Sequence, residues 1–266
     1  MKALVLSAGY GERLRPLTNT TPKPLIEVGG RPLIHYPLLM LRPAGITEVA
    51  INLHHLGATI EEALGDGSAL GLHITYSYEQ TLAGTGGPLA ILRDYFGNER
   101  FVMLNCDTII DVNLLEVIRF HEAQQALTTF VLRGGGDPDA YSRIECSSDG
   151  RIQRMRLLAG RARGVFEDYP PTLDQRITAS LRPYMYCGVM VAEADVLAAV
   201  KRPPPFSLMS DLFAPLLTRG AALYGYVHDG FFRTVDDLEA YNELRAEFSR
   251  SVPPLAFLPK NTNPRI

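Results

Sequence analysis

Short apolar segments typical of buried strands alternate with segments of helical periodicity along the first half of the chain. We predict strands at residues 4–6, 48–53, 72–78 and 101–105, and helices between them at 31–45, 57–64 and 88–96. Strands that are connected through helices run parallel, and the helices cover both faces of the sheet. The alternation therefore predicts an α/β fold with a mostly parallel, doubly wound, Rossmann-like central sheet.

A loop of small residues follows the first predicted strand. It contains Gly9 and Gly11, and such a turn leaves backbone N–H groups able to point at a ligand, as phosphate-binding loops do. Two cations accompany it: Arg13, and Lys23, which lies between two prolines that restrict its backbone. Because glycine turns after strands are common in α/β proteins, the glycines alone do not identify a function.

The loop differs from the two best-known phosphate-binding loops. A dinucleotide fingerprint needs a third glycine where Leu14 stands, and the Gly-Lys-Ser/Thr of a P-loop is absent. The pattern Gly-x-Gly-x-Arg-Leu-x-Pro-Leu-Thr, followed by Pro-Lys-Pro-Leu, resembles the signature of the sugar-1-phosphate nucleotidyltransferases, which make nucleotide-activated sugars. The resemblance implies catalytic roles for Arg13 and Lys23. It also implies nucleotide contacts from the loop and the strand before it, at Leu6, Ala8, Gly9 and Gly11.

A second glycine-rich turn covers residues 79–87 and leads into the helix predicted at 88–96. In the family a similar segment lies against the nucleobase, so the resemblance implies nucleotide contacts from Glu79, Gly84 and Thr85. A carboxylate at position 79 could accept hydrogen bonds from N1 and N2 of guanine. It could equally contact N3 of uracil or face solvent.

Asp107 follows the strand predicted at 101–105, at the edge where doubly wound sheets bind their ligands. The residue alone could instead cap the helix predicted at 111–125. In the family the matching aspartate binds Mg²⁺, so the resemblance implies that Asp107 is a catalytic residue and a Mg²⁺ ligand.

The second half of the chain matches the family pattern less closely. Residues 142–145 and 151–156 predict a hairpin that turns at Asp149-Gly150. The Glu-Lys-Pro that usually follows is absent, with Arg154 or Arg156 the nearest substitute for its lysine. Residues 157–182 have no clear period and are predicted to form a loop or insertion, with a dedicated specificity lid as the alternative. The resemblance implies a small β-rich sugar-binding subregion with sugar contacts from Tyr141, Glu145 and Gly188.

The family's second metal-binding aspartate belongs to a Trp-x-Asp-x-Gly-Thr pattern before the last helix, where this chain has Thr234. A threonine hydroxyl is a poorer Mg²⁺ ligand than a carboxylate. Either Asp236 supplies the charge, or one carboxylate and the substrate phosphates suffice, or catalysis is impaired. Asp236 is also a candidate N-cap of the last helix, with Glu239 three residues later.

Composition limits the other classes of function. The formal net charge of −3 gives no general affinity for nucleic acid or anionic membranes, so phosphate-binding charge must be local. Three widely spaced cysteines without a Cys-x-x-Cys pair argue against a disulfide scaffold or zinc site and favour a cytoplasmic protein. No apolar run is long enough to span a membrane. The His54-His55 pair has no metal-ligand spacing and is predicted to lie in the loop after the strand at 48–53.

These features predict one nucleotidyltransferase domain over residues 1–250, with a nucleotide-binding half at 1–133 and a sugar-binding half at 134–250. Residues 251–266 form a proline-containing tail that lies on the surface or on a neighbouring subunit, which leaves room for a homo-oligomer. The expected substrates are a nucleoside triphosphate and a sugar 1-phosphate, with GTP and mannose 1-phosphate favoured. The alternatives are a UTP-dependent uridylyltransferase and an impaired paralogue that binds nucleotide sugars and regulates a partner.

Overall fold

The structure is a computed structural model that describes residues 1–135, 141–159 and 164–258. Within these ranges the strands are β1 (Lys2–Leu6), β2 (Glu27–Val28), β3 (Arg31–Pro32), β4 (Glu48–Leu53), β5 (His73–Tyr78), β6 (Phe101–Asn105), β7 (Thr108–Ile110), β8 (Thr128–Arg133), β9 (Arg143–Cys146), β10 (Ile152–Leu158), β11 (Phe166–Tyr169), β12 (Arg182–Ala192), β13 (Leu223–Val227) and β14 (Phe232–Thr234). The α-helices are α1 (His35–Leu41), α2 (Gly57–Leu64), α3 (Gly87–Ile91), α4 (Arg93–Phe96), α5 (Leu114–Ala123), α6 (Gln175–Ser180), α7 (Asp195–Ala199), α8 (Ala214–Thr218) and α9 (Leu238–Arg250). No described helix is long and apolar enough to cross a lipid bilayer.

The chain divides into two compact units that do not follow its sequence order. Unit 1 comprises the described residues within 1–82, 102–115 and 230–258, and unit 2 comprises the described residues within 83–101 and 116–229. Each unit is thus assembled from segments that are distant in the sequence.

The sheet of unit 1 has the strand order β6-β1-β4-β5. β1 pairs in parallel with β4, and β4 pairs in parallel with β5, so the predicted mostly parallel sheet is confirmed. The amide of Cys106 donates to the carbonyl of Leu6 at 3.2 Å, which brings the end of β6 next to the end of β1. The loop after β1 and the turn after β6 therefore leave the same edge of the sheet, where such folds bind ligands.

A hydrophobic core in unit 1 supports the elements beside that edge of the sheet. Buried side chains from the first hundred residues pack with Ile109 of β7, Val235 and the apolar face of α9. Leu255 is buried in the same core, so this part of the predicted tail packs against its own unit instead of lying on the surface. The last eight residues of the tail lie outside the described residues.

Unit 2 contains the predicted hairpin, which is confirmed as antiparallel β9 and β10. β12 pairs antiparallel with β8 and β9, and β13 pairs in parallel with β8. The prediction of a loop over residues 157–182 is wrong for two segments, because β11 pairs with β10 and α6 follows it. The remainder of that prediction includes residues 160–163, which lie outside the described residues.

Candidate nucleotide-binding and catalytic site

The loop after β1 is held in shape by packing around Gly11. This residue has a φ of 63°, which a non-glycine residue rarely adopts, and a Cβ atom there would lie 2.8 Å from Cγ2 of Thr18. The Thr18 hydroxyl donates to the Gly11 carbonyl at 2.9 Å. Gly9 is exposed, and a Cβ atom there would meet no other atom within 4 Å. The sequence therefore needs glycine at position 11 for the turn itself, whereas Gly9 leaves open space on the loop surface.

Lys23 and Asp107 form an ion pair at the sheet edge. Lys23 belongs to a short 3₁₀ turn, Lys23–Leu25, and Asp107 lies in the turn between β6 and β7. The ammonium donates to Oδ2 of Asp107, and the two side chains are 14% and 22% exposed. Burial disfavours the charge on Lys23, but the attraction of Asp107 and its hydrogen bond, with contributions from Cys106 and Asp236, outweigh it and raise the pKa of Lys23 above its usual 10.5. Lys23 is therefore a permanent cation at neutral pH.

Asp236 joins this cluster through the pairing of β7 with β14. Thr234 lies directly opposite Thr108, and the amide of Val235 donates to the Asp107 carbonyl at 3.2 Å. Oδ1 of Asp236 accepts from Arg13 at 3.1 Å, and Oδ2 accepts from the Thr234 hydroxyl at 2.8 Å. Two cations and two carboxylates thus meet beside the loop after β1.

The structure corrects both helix-cap alternatives. Asp237, not Asp236, is the N-cap of α9, and its side chain accepts from the Ala240 amide at 2.9 Å. Asp107 is not the cap of α5, which begins at Leu114. The side chain that accepts from the first turn of α5 is Asn113, bonded to the Leu115 amide at 3.1 Å. Neither Asp107 nor Asp236 therefore serves as the N-cap of α5 or α9.

The cluster contains two carboxylates that could hold a divalent cation. Among the described residues no group of three or more His, Cys, Asp or Glu side chains could form a metal site. Mg²⁺, however, is commonly bound through one or two carboxylates, with substrate phosphates and water completing its shell. Asp107 and Asp236 fit that type of site but would not form a metal cage by themselves.

Glu79 is buried, so the expectation that it could face solvent is wrong. Its side chain belongs to a residue that is 6% exposed, and its carboxylate accepts from Asn52 at 2.8 Å. Asn52 in turn accepts from the backbone amide of Ser7 at 2.8 Å. The Glu79 carboxylate is thereby held in one orientation, and Asn52 connects it to the start of the loop after β1.

Two histidines that the sequence did not assign to the site also contact this region. His54 and His55 lie in the loop after β4, as predicted. His54 contacts the Tyr10 hydroxyl at 2.9 Å and the Glu79 carbonyl at 2.8 Å, and His55 contacts the Thr18 carbonyl at 3.0 Å. The adjacent histidines after an apolar strand were the only signal in the sequence that could have drawn attention to them.

Gly84 and Thr85 lie in unit 2, where they contact the segment before α8. Gly84 has a φ of 74°, and a Cβ atom there would collide with the Phe206 carbonyl oxygen. The Thr85 hydroxyl accepts from the Leu208 amide at 2.9 Å. These contacts give both residues a structural reason for their identity that is independent of a ligand.

The three residues that the resemblance assigned to the sugar also lie in unit 2. Glu145 is buried and forms a 2.5 Å ion pair with Arg154, while Arg156 is paired with Asp168 at 2.8 Å. Gly188 has a φ of 75° where the register between β12 and β8 shifts. Tyr141 is exposed. The candidate replacements for the missing lysine are therefore both engaged with carboxylates.

Comparison with known proteins adds a family assignment. A family model described as nucleotidyl transferase matches residues 2–156, more than half of the chain. The mannose-1-phosphate guanylyltransferase of Mycobacterium tuberculosis is 31% identical over 253 residues, a match that covers 95% of this chain and 66% of the relative. The N-acetylmuramate α-1-phosphate uridylyltransferase of Neisseria meningitidis serogroup B is 50% identical over 116 residues, covering 42% and 49%.

The chain spans from about half to about two thirds of the length of these curated relatives. Among solved structures, HddC from Yersinia pseudotuberculosis superimposes with a TM-score of 0.71 at 17% identity, covering 93% of this chain and 99% of that one. At that level of identity the likeness concerns the fold alone.

Proposed function

Because the chain belongs to the nucleotidyl transferase family, we propose that it transfers a nucleotidyl group from a nucleoside triphosphate to a sugar 1-phosphate. The observation that carries this proposal is the cluster of Arg13, Lys23, Asp107 and Asp236 beside a glycine loop at the sheet edge. Such a cluster suits the task of bringing two polyanions together.

The reaction forms a bond between a phosphate oxygen of the sugar 1-phosphate and the α-phosphorus. The bond from that phosphorus to the oxygen bridging to the β-phosphate breaks, and pyrophosphate leaves with the electron pair. The nucleophile is already an anion, so no residue is needed to deprotonate it. Catalysis then consists of orienting the two substrates and stabilising charge on the crowded α-phosphate.

Each cation has a role that follows from its position. Lys23 is confined and mostly buried, so its charge would stay near the reacting phosphates. The side chain of Arg13 is 68% exposed, so it could leave Asp236 at little cost and bind the leaving pyrophosphate. Backbone groups at Leu6, Ala8, Gly9 and Gly11 would line the triphosphate.

Asp107 and Asp236 would hold Mg²⁺. When bound, the ion would neutralise phosphate charge and polarise the α-phosphate. The hydroxyl of Thr234 donates to Asp236 and so orients the carboxylate, while Thr234 occupies the position at which the family pattern has aspartate. Asp236 would thus supply the second negative charge of the metal site, two residues after the position of the aspartate in the family pattern.

We favour GTP and mannose 1-phosphate as the substrates. Glu79 is a carboxylate held in place by Asn52, and a carboxylate can accept hydrogen bonds from the N1 and N2 hydrogens of guanine. The similarity to the mannose-1-phosphate guanylyltransferase of M. tuberculosis supports the same pair. A UTP-dependent reaction is the second candidate, because Glu79 could accept from uracil N3 and the N. meningitidis relative is a uridylyltransferase.

Residues 1–133 would bind mainly the nucleotide, and residues 134–250 would bind the sugar. Gly84 and Thr85 would contact the base, and Tyr141, Glu145 and Gly188 the sugar. Gly188 has no side chain and lies where the strand register shifts, which would allow a sugar ring close to the main chain.

A pyrophosphate-release assay tests the proposal. Each common nucleoside triphosphate is combined with each of several hexose and amino-sugar 1-phosphates in the presence of Mg²⁺. The proposal requires pyrophosphate release that depends on both substrates. Binding of a nucleotide sugar without turnover of any substrate pair would instead favour a non-catalytic paralogue. That alternative is motivated by Thr234, which stands where the family pattern has a metal-binding aspartate.

A further inference from the structure

His54 connects two parts of unit 1 that, in the proposed function, would hold opposite ends of the nucleotide. One ring nitrogen contacts the Tyr10 hydroxyl within the glycine loop, and the other contacts the Glu79 carbonyl, where the base would be read. No other role has been assigned to this side chain. Its two contacts are 2.9 Å and 2.8 Å long, which is ordinary hydrogen-bond geometry.

The partners determine where the hydrogens lie. A carbonyl oxygen can only accept, so Nδ1 of His54 must carry a hydrogen and donate to Glu79. In the neutral ring Nε2 is then an acceptor, and the Tyr10 hydroxyl donates to it. The chain of bonds runs in one direction from Tyr10 through His54 to the backbone of Glu79.

Further contacts make this connection stiff. The Tyr10 ring packs edge-on against His54 at a centroid distance of 5.3 Å and lies 5.5 Å from His55. His55 donates to the Thr18 carbonyl, and Thr18 packs against the left-handed turn at Gly11. The loop is thus braced at two successive positions from the end of β4.

We propose that His54 is a positioning residue that sets the glycine loop and Glu79 at the spacing one nucleoside triphosphate requires. The inference rests on the proposed function, because it takes the loop as the triphosphate site and Glu79 as the base contact. A triphosphate and its base belong to one ligand, so an error in the spacing of the two protein segments weakens binding at one end or the other.

Amide substitutions separate the two bonds of His54. The amide of His54→Asn overlies Nδ1, so this variant keeps the donor to Glu79 but loses the acceptor for Tyr10. The amide of His54→Gln overlies Nε2, so it keeps the acceptor for Tyr10 and loses the donor to Glu79. Tyr10→Phe removes the loop-side bond while leaving the ring contacts, and it is the variant least able to disturb folding. His73→Ala, at an exposed position of β5, is the control.

Two measurements distinguish the triphosphate end of the site from its base end. Calorimetric binding of inorganic tripolyphosphate reports the loop alone, and the ratio of kcat/KM between the best and second-best nucleoside triphosphate reports the base end. We expect Tyr10→Phe and His54→Asn to weaken tripolyphosphate binding about fivefold, the effect of one hydrogen bond, with the base ratio unchanged. We expect His54→Gln to reduce the base ratio about fivefold with tripolyphosphate binding unchanged. The KM for the sugar 1-phosphate should stay at the wild-type value in all three variants.

Equal effects of His54→Asn and His54→Gln on both measurements, or effects matched by His73→Ala, would overturn the inference. So would variants that all behave as wild type while the wild-type protein turns over. A wild-type protein that binds no nucleoside triphosphate would overturn the proposed function, and this inference with it.

Discussion

The pairing of Lys23 with Asp107 allows a prediction for both stability and catalysis. The variant Asp107→Asn keeps the shape of the side chain and an oxygen for Lys23 but removes the negative charge. At an effective dielectric constant of about 20, two unit charges about 4 Å apart attract by about 4 kcal/mol. The variant also relieves the desolvation cost of the Asp107 carboxylate, whose side chain is 22% exposed, and this offsets part of the loss. We therefore expect the free energy of unfolding to fall by about 2 kcal/mol, between the values for exposed and for buried pairs.

The catalytic effect of the same variant should be much larger. If Asp107 helps to hold Mg²⁺, its loss removes several kcal/mol of charge stabilisation in the transition state, and kcat should fall about a thousandfold or more. Asp237→Asn is the matched control, because asparagine and aspartate are equally good N-caps and Asp237 caps α9. It should leave both unfolding and turnover near wild type.

Steady-state pyrophosphate release and urea unfolding of the two variants test this reasoning. Turnover of Asp107→Asn within about threefold of wild type, when several kcal/mol should be lost, would refute the assignment of Asp107. A loss of turnover in the Asp237→Asn control of the same size would show that the assay reports general damage near the site instead.

Three further predictions concern other parts of the molecule. Asp236→Ala should lower kcat/KM about a hundredfold or more, because it removes a carboxylate. Thr234→Val should lower kcat/KM only about tenfold, because it removes a hydrogen bond to that carboxylate. The reverse order in steady-state assays would make Thr234 the metal ligand. Burial, with the charge of Arg31, lowers the pKa of His35 from 6.5 to about 4, so its neutral form stabilises the fold above pH 6.5 and that contribution is lost as the pH falls towards 4. His35→Asn should flatten the pH dependence of urea unfolding in that window, and an unchanged profile would contradict it. Gly84→Ala should destabilise the protein by about 2–3 kcal/mol, against about 1 kcal/mol for Gly45→Ala. Both residues have positive φ, but only at Gly84 would a Cβ atom meet the Phe206 carbonyl, so equal losses in thermal unfolding would remove the role of that contact.

Much of the central sheet could be predicted from the sequence because its strands are continuous apolar runs between turn residues. The predicted bounds of β4 and α2 agree with the structure, since both have strong periodicity and clear ends. β11 was missed because Phe166–Tyr169 has no alternation of its own. It is held by pairing with β10 and by the ion pair of Arg156 with Asp168, and these tertiary contacts leave no local pattern.

Part of the candidate cluster could be named from the sequence through the family resemblance. That resemblance implied Arg13, Lys23 and Asp107, and the structure brings the three side chains into one cluster. The position of Asp236 depends on the pairing of β7 with β14 and on a hydroxyl two residues earlier. Sequence reasoning could name it as a candidate but could not choose between cap and site. The contacts of His54 depend entirely on side-chain geometry, so the sequence offered no basis for them.

The path of the oxygen atoms tests the central claim most directly. The protein is incubated with Mg²⁺, a nucleoside triphosphate and a sugar 1-phosphate labelled with ¹⁸O in its non-bridging phosphate oxygens, and the products are separated by mass. Attack of the sugar phosphate on the α-phosphorus predicts that all label stays in a nucleotide sugar and that the pyrophosphate is unlabelled. Label in released inorganic phosphate, or no nucleotide sugar from any pair of substrates, would contradict the account.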